Sequence, residues 1–183
     1  MTDGLIISFL LLFLLGCCIA VVLSVNALYH TLRQGLPFVS TPTWAITWLH
    51  DSLELTAHDV VYELGCGRAI VIASLAKKFP HTTFIGIEIQ WWPFILAKIR
   101  THRYSNVRII RGNIFRHDLS SATLVYGFFI SGFMARLAEK LRHDLKPNTQ
   151  IISFGFPLPN WTQQQEISNP KTSRGSKIRI YLR

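Results

Sequence analysis

Acidic residues are scarce in this chain of 183 residues, which has 10 Asp and Glu against 19 Lys and Arg. The resulting net charge of +9 favours an anionic partner, either a lipid surface or RNA. Cysteine is also rare. The three cysteines include no CxxC pair, so neither a zinc framework nor a disulfide framework is indicated. The seven histidines show no metal-ligand spacing, and the sequence predicts no metal site.

Three catalytic motifs with well-defined spacing are missing. The sequence contains no GxSxG nucleophile elbow, no Walker phosphate loop and no HExxH helix. Hydrolase, nucleoside-triphosphatase and zinc-protease activities of those kinds therefore have no support.

Charge is absent from residues 5–29, where Leu, Ile, Val and Phe predominate. A helix of about 25 residues outspans a hydrocarbon layer of about 30 Å. We therefore predict that residues 1–30 form one transmembrane anchor. The alternative is a cleaved signal peptide, but the residues before the apolar run include Asp3 and no Lys or Arg, whereas a signal peptide starts with positive charge.

Every Lys and Arg lies after the apolar run, the first being Arg33. The positive-inside rule then places a domain of residues 31–183 on the cytoplasmic side of a bacterial inner membrane or an organelle equivalent. A basic residue held near an anionic leaflet gains up to about 1 kcal/mol. We therefore expect contact with anionic lipids and no nucleic-acid partner.

The remaining chain alternates between strand-like and helix-like segments, with no internal repeat. Strands separated by helices indicate a parallel sheet covered on both faces, which is an α/β, Rossmann-like doubly wound fold. Residues 164–167 and 177–182 fit a closing antiparallel hairpin. The five predicted parallel strands are Asp59–Leu64, Thr83–Glu88, Val107–Ile110, Thr123–Ile130 and Gln150–Phe154.

A strand, a glycine turn and a helix follow one another around Gly65, Cys66 and Gly67. This arrangement brings backbone close to a ligand. The dinucleotide fingerprint requires glycine or alanine where Ile70 stands, so the spacing disfavours a nicotinamide or flavin dinucleotide. Glu63 instead places a carboxylate before the turn, which suits the cation of a sulfonium amino acid.

Two further polar residues end the next two strands. Glu88 lies at the distance along the chain where an acid accepts hydrogen bonds from both ribose hydroxyls. Asn113 can meet an adenine edge through its amide. Because these strand ends open on one crevice in a doubly wound sheet, the sequence predicts a nucleoside site there.

These segments resemble the class I (seven-strand) S-adenosylmethionine-dependent methyltransferases. More narrowly, they resemble the family that includes the membrane-anchored ATP synthase c-subunit lysine methyltransferase and its bacterial relatives. The resemblance runs from about Pro37 to the C-terminus. It is carried by residues 37–42 (PFVSTP), 61–67 (VYELGCG), 86–88 (GIE) and 153–161 (SFGFPLPNW).

The resemblance implies S-adenosyl-L-methionine as cofactor and assigns roles to residues of the site. Contacts to the cofactor would come from Gly65, Cys66 and Gly67 through backbone, from Glu88 to ribose, from Asn113 and Ile114 to adenine, and from Phe38 and Thr41 as a lid. The chain departs from the family at Arg68-Ala69-Ile70, where Asp-Gly-Arg is usual, at Asn113, where Asp is usual, and at Ser131, where proline is usual.

Methyl transfer from a sulfonium needs a nucleophile held about 3 Å from the methyl carbon. An apolar slot that lowers the pKa of an amine would lie at the end of the fourth strand. Tyr126, Phe129 and Ser131 are its candidate catalytic residues, although strand aromatics such as Phe128 also fit a core role. Trp161 fits either the rim of this slot or a cap on the sheet.

The resemblance and the predicted anchor together favour lysine methylation of a membrane-associated protein. Three alternatives stay open at this point. RNA methylation is one, because of the basic charge, although the sequence has no base-stacking motif. A membrane-held aromatic slot also suits a lipid or small hydrophobic substrate. The departures from the family pattern also fit a non-catalytic module that binds S-adenosylmethionine.

Overall fold

The chain divides into two compact units, Met1–Pro37 and Phe38–Arg183. The described part of the first unit is one helix, α1 (Thr2–Gln34), which continues four residues past the predicted end of the anchor at residue 30. Its stretch Gly4–Val25 can cross a membrane by length and composition, a criterion that a signal sequence would also meet. The computed structural model describes residues 2–34, 40–129, 131–169, 171 and 176–183.

The second unit is built on one sheet. Its strands are β1 (Val60–Leu64), β2 (Thr83–Glu88), β3 (Val107–Arg111), β4 (Leu124–Phe129), β5 (Gln150–Gly155), β6 (Gln163–Ile167) and β7 (Lys177–Leu182). The strand order is β3-β2-β1-β4-β5-β7-β6. The first five strands are parallel, and β7 runs antiparallel between β5 and β6. The predicted Rossmann-like α/β fold is confirmed.

The described residues of this unit form four α-helices around the sheet: α2 (Thr43–Ser52), α3 (Ile70–Lys78), α4 (Trp91–Thr101) and α5 (Met134–Asp144). Helix α3 carries Lys77 and Lys78 in its last turn, where cations complement the helix dipole, and Pro80 follows its end. Helix α5 buries apolar residues three and four apart, from Met134 to Leu141, against the sheet.

Side chains alternate between the two faces of the sheet, and each face has its own core. Helices α2, α3 and α4 cover the face to which Val61 and Tyr126 belong. Helix α5 covers the other face, to which Tyr62 and Val125 belong. Glu63 lies two residues after Val61, so its side chain is on the α2–α3–α4 face. The parallel strands therefore bring Glu63 and Tyr126, paired in register, to one side of the sheet.

Candidate active site

In the turn after β1, every second residue from Gly65 to Ala69 has a left-handed backbone conformation. Gly65, Gly67 and Ala69 have φ of 74°, 54° and 53°. A Cβ added at Gly65 would meet nothing within 4 Å, so the glycine there serves the backbone angle and leaves open space beside the turn. Ala69 takes the same conformation with a Cβ, which costs about 1–2 kcal/mol.

The amide groups of the turn already have acceptors. Gly65 and Cys66 both donate their N–H to the carbonyl of Ile87, at 2.8 and 3.0 Å. Gly67 donates its N–H to Oε2 of Glu88 at 2.8 Å. A ligand at this turn therefore meets backbone that is already hydrogen-bonded. The glycines therefore allow a ligand to approach the backbone closely and do not form a nest of free N–H groups. A pyrophosphate would find few free donors here.

Glu88 is fixed at the end of β2 against the turn. Its second oxygen, Oε1, accepts from the N–H of Gln90 at 2.7 Å, and the residue is 6% exposed. The structure thus brings Glu88 and Gly67 into direct contact, whereas the sequence alone placed them only at the same edge of the sheet.

Gly86 permits the close packing of the turn on β2. A Cβ there would lie 2.8 Å from Sγ of Cys66 and 2.9 Å from Cδ1 of both Ile72 and Ile109. Gly86 pairs with Glu63 in the sheet register. Sequence reasoning used Gly86 only as part of a family motif, because the crowding comes from α3 and β3, which are distant in sequence.

Glu63 is a buried carboxyl beneath the turn, 6% exposed. Its Oε2 accepts from the N–H of Ile72 at 3.3 Å, and among the described residues this is its one hydrogen bond. Burial, and then the proximity of Glu88, raise the pKa of Glu63 to about 8. Burial and the same two carboxylates raise the pKa of Cys66, so its thiol is protonated at neutral pH and is unsuited to act as a nucleophile.

Asn113 follows β3 at the same edge of the sheet. Its Oδ1 caps the short 3-10 helix Ile114–Arg116 by accepting from the N–H of Phe115 at 3.0 Å. The amide nitrogen is then the polar group left to face a ligand. The neighbouring Gly112 donates its N–H to the carbonyl of Glu88 at 2.9 Å, which ties this loop to the end of β2. Ile114 is half-buried on the α5 side.

The end of β4 carries the predicted substrate residues. Tyr126 is 2% exposed, and its hydroxyl hydrogen-bonds with Oγ1 of Thr41 at 3.0 Å, which fixes the segment before α2 on β4. Phe129 lies in β4, and Ser131 begins the 3-10 helix Ser131–Phe133. The side chains of Phe129 and Ser131, and all of Phe38, lie outside the described residues.

An aromatic group on the same face of the sheet as Tyr126 joins Phe128 to two rings from other elements. Phe128 meets Phe154 edge-on, with ring centroids 4.6 Å apart. Trp44, from α2, lies 5.7 Å from Phe154. Phe128 and Trp44 are half-buried, so this aromatic group is part core and part surface.

Trp161 packs against α5 and does not join the aromatic group. Its Nε1 donates to the carbonyl of Ala138 at 3.3 Å, and its ring meets Tyr181 edge-on with centroids 6.4 Å apart. Trp161 was predicted either to line the rim of the slot or to cap the sheet, and these contacts fit the cap.

Comparisons with known proteins find similarity to methyltransferases. The family model described as ANTKMT methyltransferase domain matches residues 63–165, more than half of the chain. A protein-lysine N-methyltransferase of Saccharolobus islandicus is 29% identical over 150 residues, which cover 80% of this chain and 93% of that protein.

Two further relatives are named for RNA substrates. A tRNA (guanine-N(7)-)-methyltransferase of Porphyromonas gingivalis is 26% identical over 151 residues, which cover 81% of this chain but 54% of that protein. A crystal structure of an RNA methyltransferase from Salinibacter ruber with S-adenosyl-L-homocysteine has a TM-score of 0.71 at 22% identity, and the match covers 79% of this chain and 93% of that one. At that identity the likeness shows the fold alone.

Proposed function

Because the chain belongs to the ANTKMT methyltransferase domain family, we propose that it methylates a lysine side chain of a protein at a membrane. The domain is an S-adenosyl-L-methionine-dependent methyltransferase. Our proposal adds lysine as the substrate side chain, the membrane as the location and the roles of individual residues.

The carboxyl edge of β1 and β2 fits a sulfonium nucleoside. Two buried acidic side chains, Glu63 and Glu88, flank a turn whose N–H groups are already engaged, and Glu63 can ionise when a cation binds beside it. Such a site favours a cation over a phosphate, since the phosphate would face carboxylates and few free donors. When bound, S-adenosylmethionine supplies a methyl group made electrophilic by the sulfonium.

Each residue of this edge takes one part in holding the cofactor. The open space beside Gly65 admits the cofactor to the turn, and Glu63 offers it a carboxylate. Glu88 accepts hydrogen bonds from the ribose hydroxyls, while Asn113 and Ile114 meet the adenine. Cys66 and Gly67 contribute backbone surface, and Phe38 and Thr41 close over the cofactor.

A lysine amine needs an apolar slot next to this site. Phe128 and Trp44 present aromatic surface on the same side of the sheet as Glu63, and an aromatic ring can hold an ammonium by a cation–π contact. Partial desolvation lowers the pKa of the amine and frees its lone pair for attack. Tyr126 forms the base of the slot and is held there by its hydrogen bond with Thr41. Phe129 and Ser131 complete the slot at the end of β4.

The protein relative supports the choice of substrate. The Saccharolobus islandicus protein-lysine N-methyltransferase aligns over nearly its whole length, whereas the tRNA methyltransferase aligns over about half of its own. The helix α1 supports the membrane location, and the charge pattern supports a domain on the cytoplasmic side.

The observation that carries the proposal is the pair of buried acidic side chains, Glu63 and Glu88, at the turn. Radiolabelled S-adenosylmethionine should be incubated with the full chain and membranes that contain its targets, and the label followed into protein, lipid and RNA fractions. We expect label in a protein band that acid hydrolysis identifies as methyl-lysine. Glu88→Ala should abolish the labelling, while Glu139→Ala, an exposed acid on α5, should leave it unchanged. Label confined to lipid or RNA would refute lysine methylation.

A further inference from the structure

Helix α4 exposes large apolar side chains on its outer side. Trp91, Trp92 and Ile99 are 52%, 46% and 62% exposed. The opposite side of the helix is buried against the sheet at every fourth residue from Pro93. The helical period places Trp92 and Ile99, seven residues apart, on the same outward side. Apolar side chains grouped on one exposed face indicate a docking surface.

The surroundings of these side chains are uniformly basic. Residues 89–117 contain six Lys and Arg and no Asp or Glu. Lys98 and Arg100 on α4, and Arg103 just after it, are exposed. Arg111, exposed on the edge strand β3, lies with its guanidinium 4.7 Å from the ring of Trp91. In the described part of the chain, no basic side chain of residues 89–117 forms an ion pair. Ion pairs therefore do not offset the positive charge of this segment.

We infer that this face of α4 docks on the anionic lipid headgroups of a bilayer. Tryptophan rings favour the headgroup level of a membrane, and Lys and Arg favour its anionic phosphates. A helix with apolar residues flanked by cations binds in the plane of the interface. The α4 surface is defined as Trp91, Trp92, Lys98, Ile99, Arg100 and Arg103.

The other possible occupants fit these observations less well. A second copy of the chain, docked through the same face, would bring two sets of cations together. An acidic protein would also complement the positive charge. However, α1 is long and apolar enough to cross a membrane, which separately favours a bilayer as the partner. The inference rests on the proposed function only for the presence of a bilayer and does not require methyl transfer.

Tryptophan quenching tests the contact directly in the full chain. The protein is reconstituted into vesicles of phosphatidylcholine and phosphatidylglycerol whose acyl chains carry bromine near the headgroup. We expect the bromine to quench the wild-type fluorescence. The double variant Trp91→Phe/Trp92→Phe should lose most of the quenching. Trp161→Phe is the matched control, since that ring packs against α5, and it should retain the quenching. Equal fractional quenching in all three proteins would overturn the inference.

A charge variant tests the choice of lipid over protein. Lys98→Gln/Arg103→Gln should lower the ratio of docked to undocked domain about fivefold per cation in vesicles that contain phosphatidylglycerol. Lys77→Gln/Lys146→Gln removes two exposed cations elsewhere and should change the ratio far less. Vesicles of phosphatidylcholine alone should reproduce the effect of the first variant. An equal effect of both variants would contradict docking through α4.

Vesicle flotation separates this inference from the proposed anchor. Flotation with both vesicle types, without quenching at Trp91 and Trp92, would overturn docking through α4 and leave the anchor in place. Flotation only with phosphatidylglycerol, with quenching at those residues, would support α4 docking and refute the anchor.

Discussion

The two halves of the site are built differently. The cofactor half, at the ends of β1, β2 and β3, is held by hydrogen bonds between main-chain N–H groups and strand-end residues, such as that from the N–H of Gly67 to Oε2 of Glu88. The substrate half, at the end of β4, depends on side chains that α2 and β5 bring from elsewhere, as in the contact of Trp44 with Phe154. The cofactor half is therefore built from strand ends and a glycine turn that are recognisable locally in the sequence, whereas the substrate slot is built from side chains of distant segments.

The largest expected effect that separates the two halves is a pH dependence of cofactor affinity, which involves the cofactor half alone. With the pKa of Glu63 near 8 in the free domain, a cationic cofactor binds best when this carboxyl ionises. Affinity for S-adenosylmethionine should then rise by up to about tenfold per pH unit below that value. Glu63→Gln should remove the slope, as calorimetry over pH would show. A slope unchanged in the variant would contradict the role of Glu63.

The same carboxyl has the opposite effect on the stability of the cofactor-free domain. A pKa raised from 4.5 in the unfolded chain to about 8 means that the folded state holds the proton more tightly. That contribution to stability is fully present below about 4.5 and is lost as pH rises toward 8. Denaturant unfolding without cofactor should follow this decline in the wild type and lack it in Glu63→Gln.

Packing beneath the turn provides the next test. Gly86→Ala should reduce the free energy of unfolding by about 1–3 kcal/mol, because its Cβ would overlap Cys66, Ile72 and Ile109. Adding Ile109→Val removes the Cδ1 atom on one side and should recover part of the loss in thermal unfolding. Full stability in the single variant would show that the turn does not need this close approach.

A change in the substrate half should leave the cofactor half intact. Phe128→Leu should raise KM for the protein substrate about fivefold, because a lost cation–π contact costs about 1 kcal/mol. Cofactor affinity should stay unchanged. Phe156→Leu, an exposed phenylalanine after β5, is the matched control and should leave both constants unchanged. If Phe128→Leu weakened the cofactor as much as the substrate, the two halves would not be separable.

The smallest effect concerns the third position of the turn. Ala69→Gly removes the cost of a left-handed alanine and should stabilise the domain by about 1 kcal/mol without changing its activity. Ala73→Gly, within α3, should instead destabilise the domain by about 1 kcal/mol. Thermal unfolding of the two variants should shift in opposite directions, and shifts in the same direction would contradict the strain at Ala69.

What the sequence could predict depends on whether a feature is a local pattern or a contact between distant segments. The strands that carry Glu63 and Glu88 and the turn between β1 and α3 are local patterns of apolar residues and glycine spacing, so they were predictable. The position of β7 between β5 and β6 and the crowding at Gly86 depend on contacts between distant segments. The predicted slot stays a prediction at Phe129, since its side chain lies outside the described residues.

The central claim is that Glu88, held against the glycine turn, binds the ribose of S-adenosylmethionine. Calorimetry of that cofactor with the full chain, Glu88→Ala and Glu139→Ala tests it most directly. Loss of two charge-assisted hydrogen bonds, about 3 kcal/mol together, predicts binding about 100-fold weaker in Glu88→Ala and unchanged in Glu139→Ala. Equal affinity of the folded Glu88→Ala variant and the wild type would contradict the account.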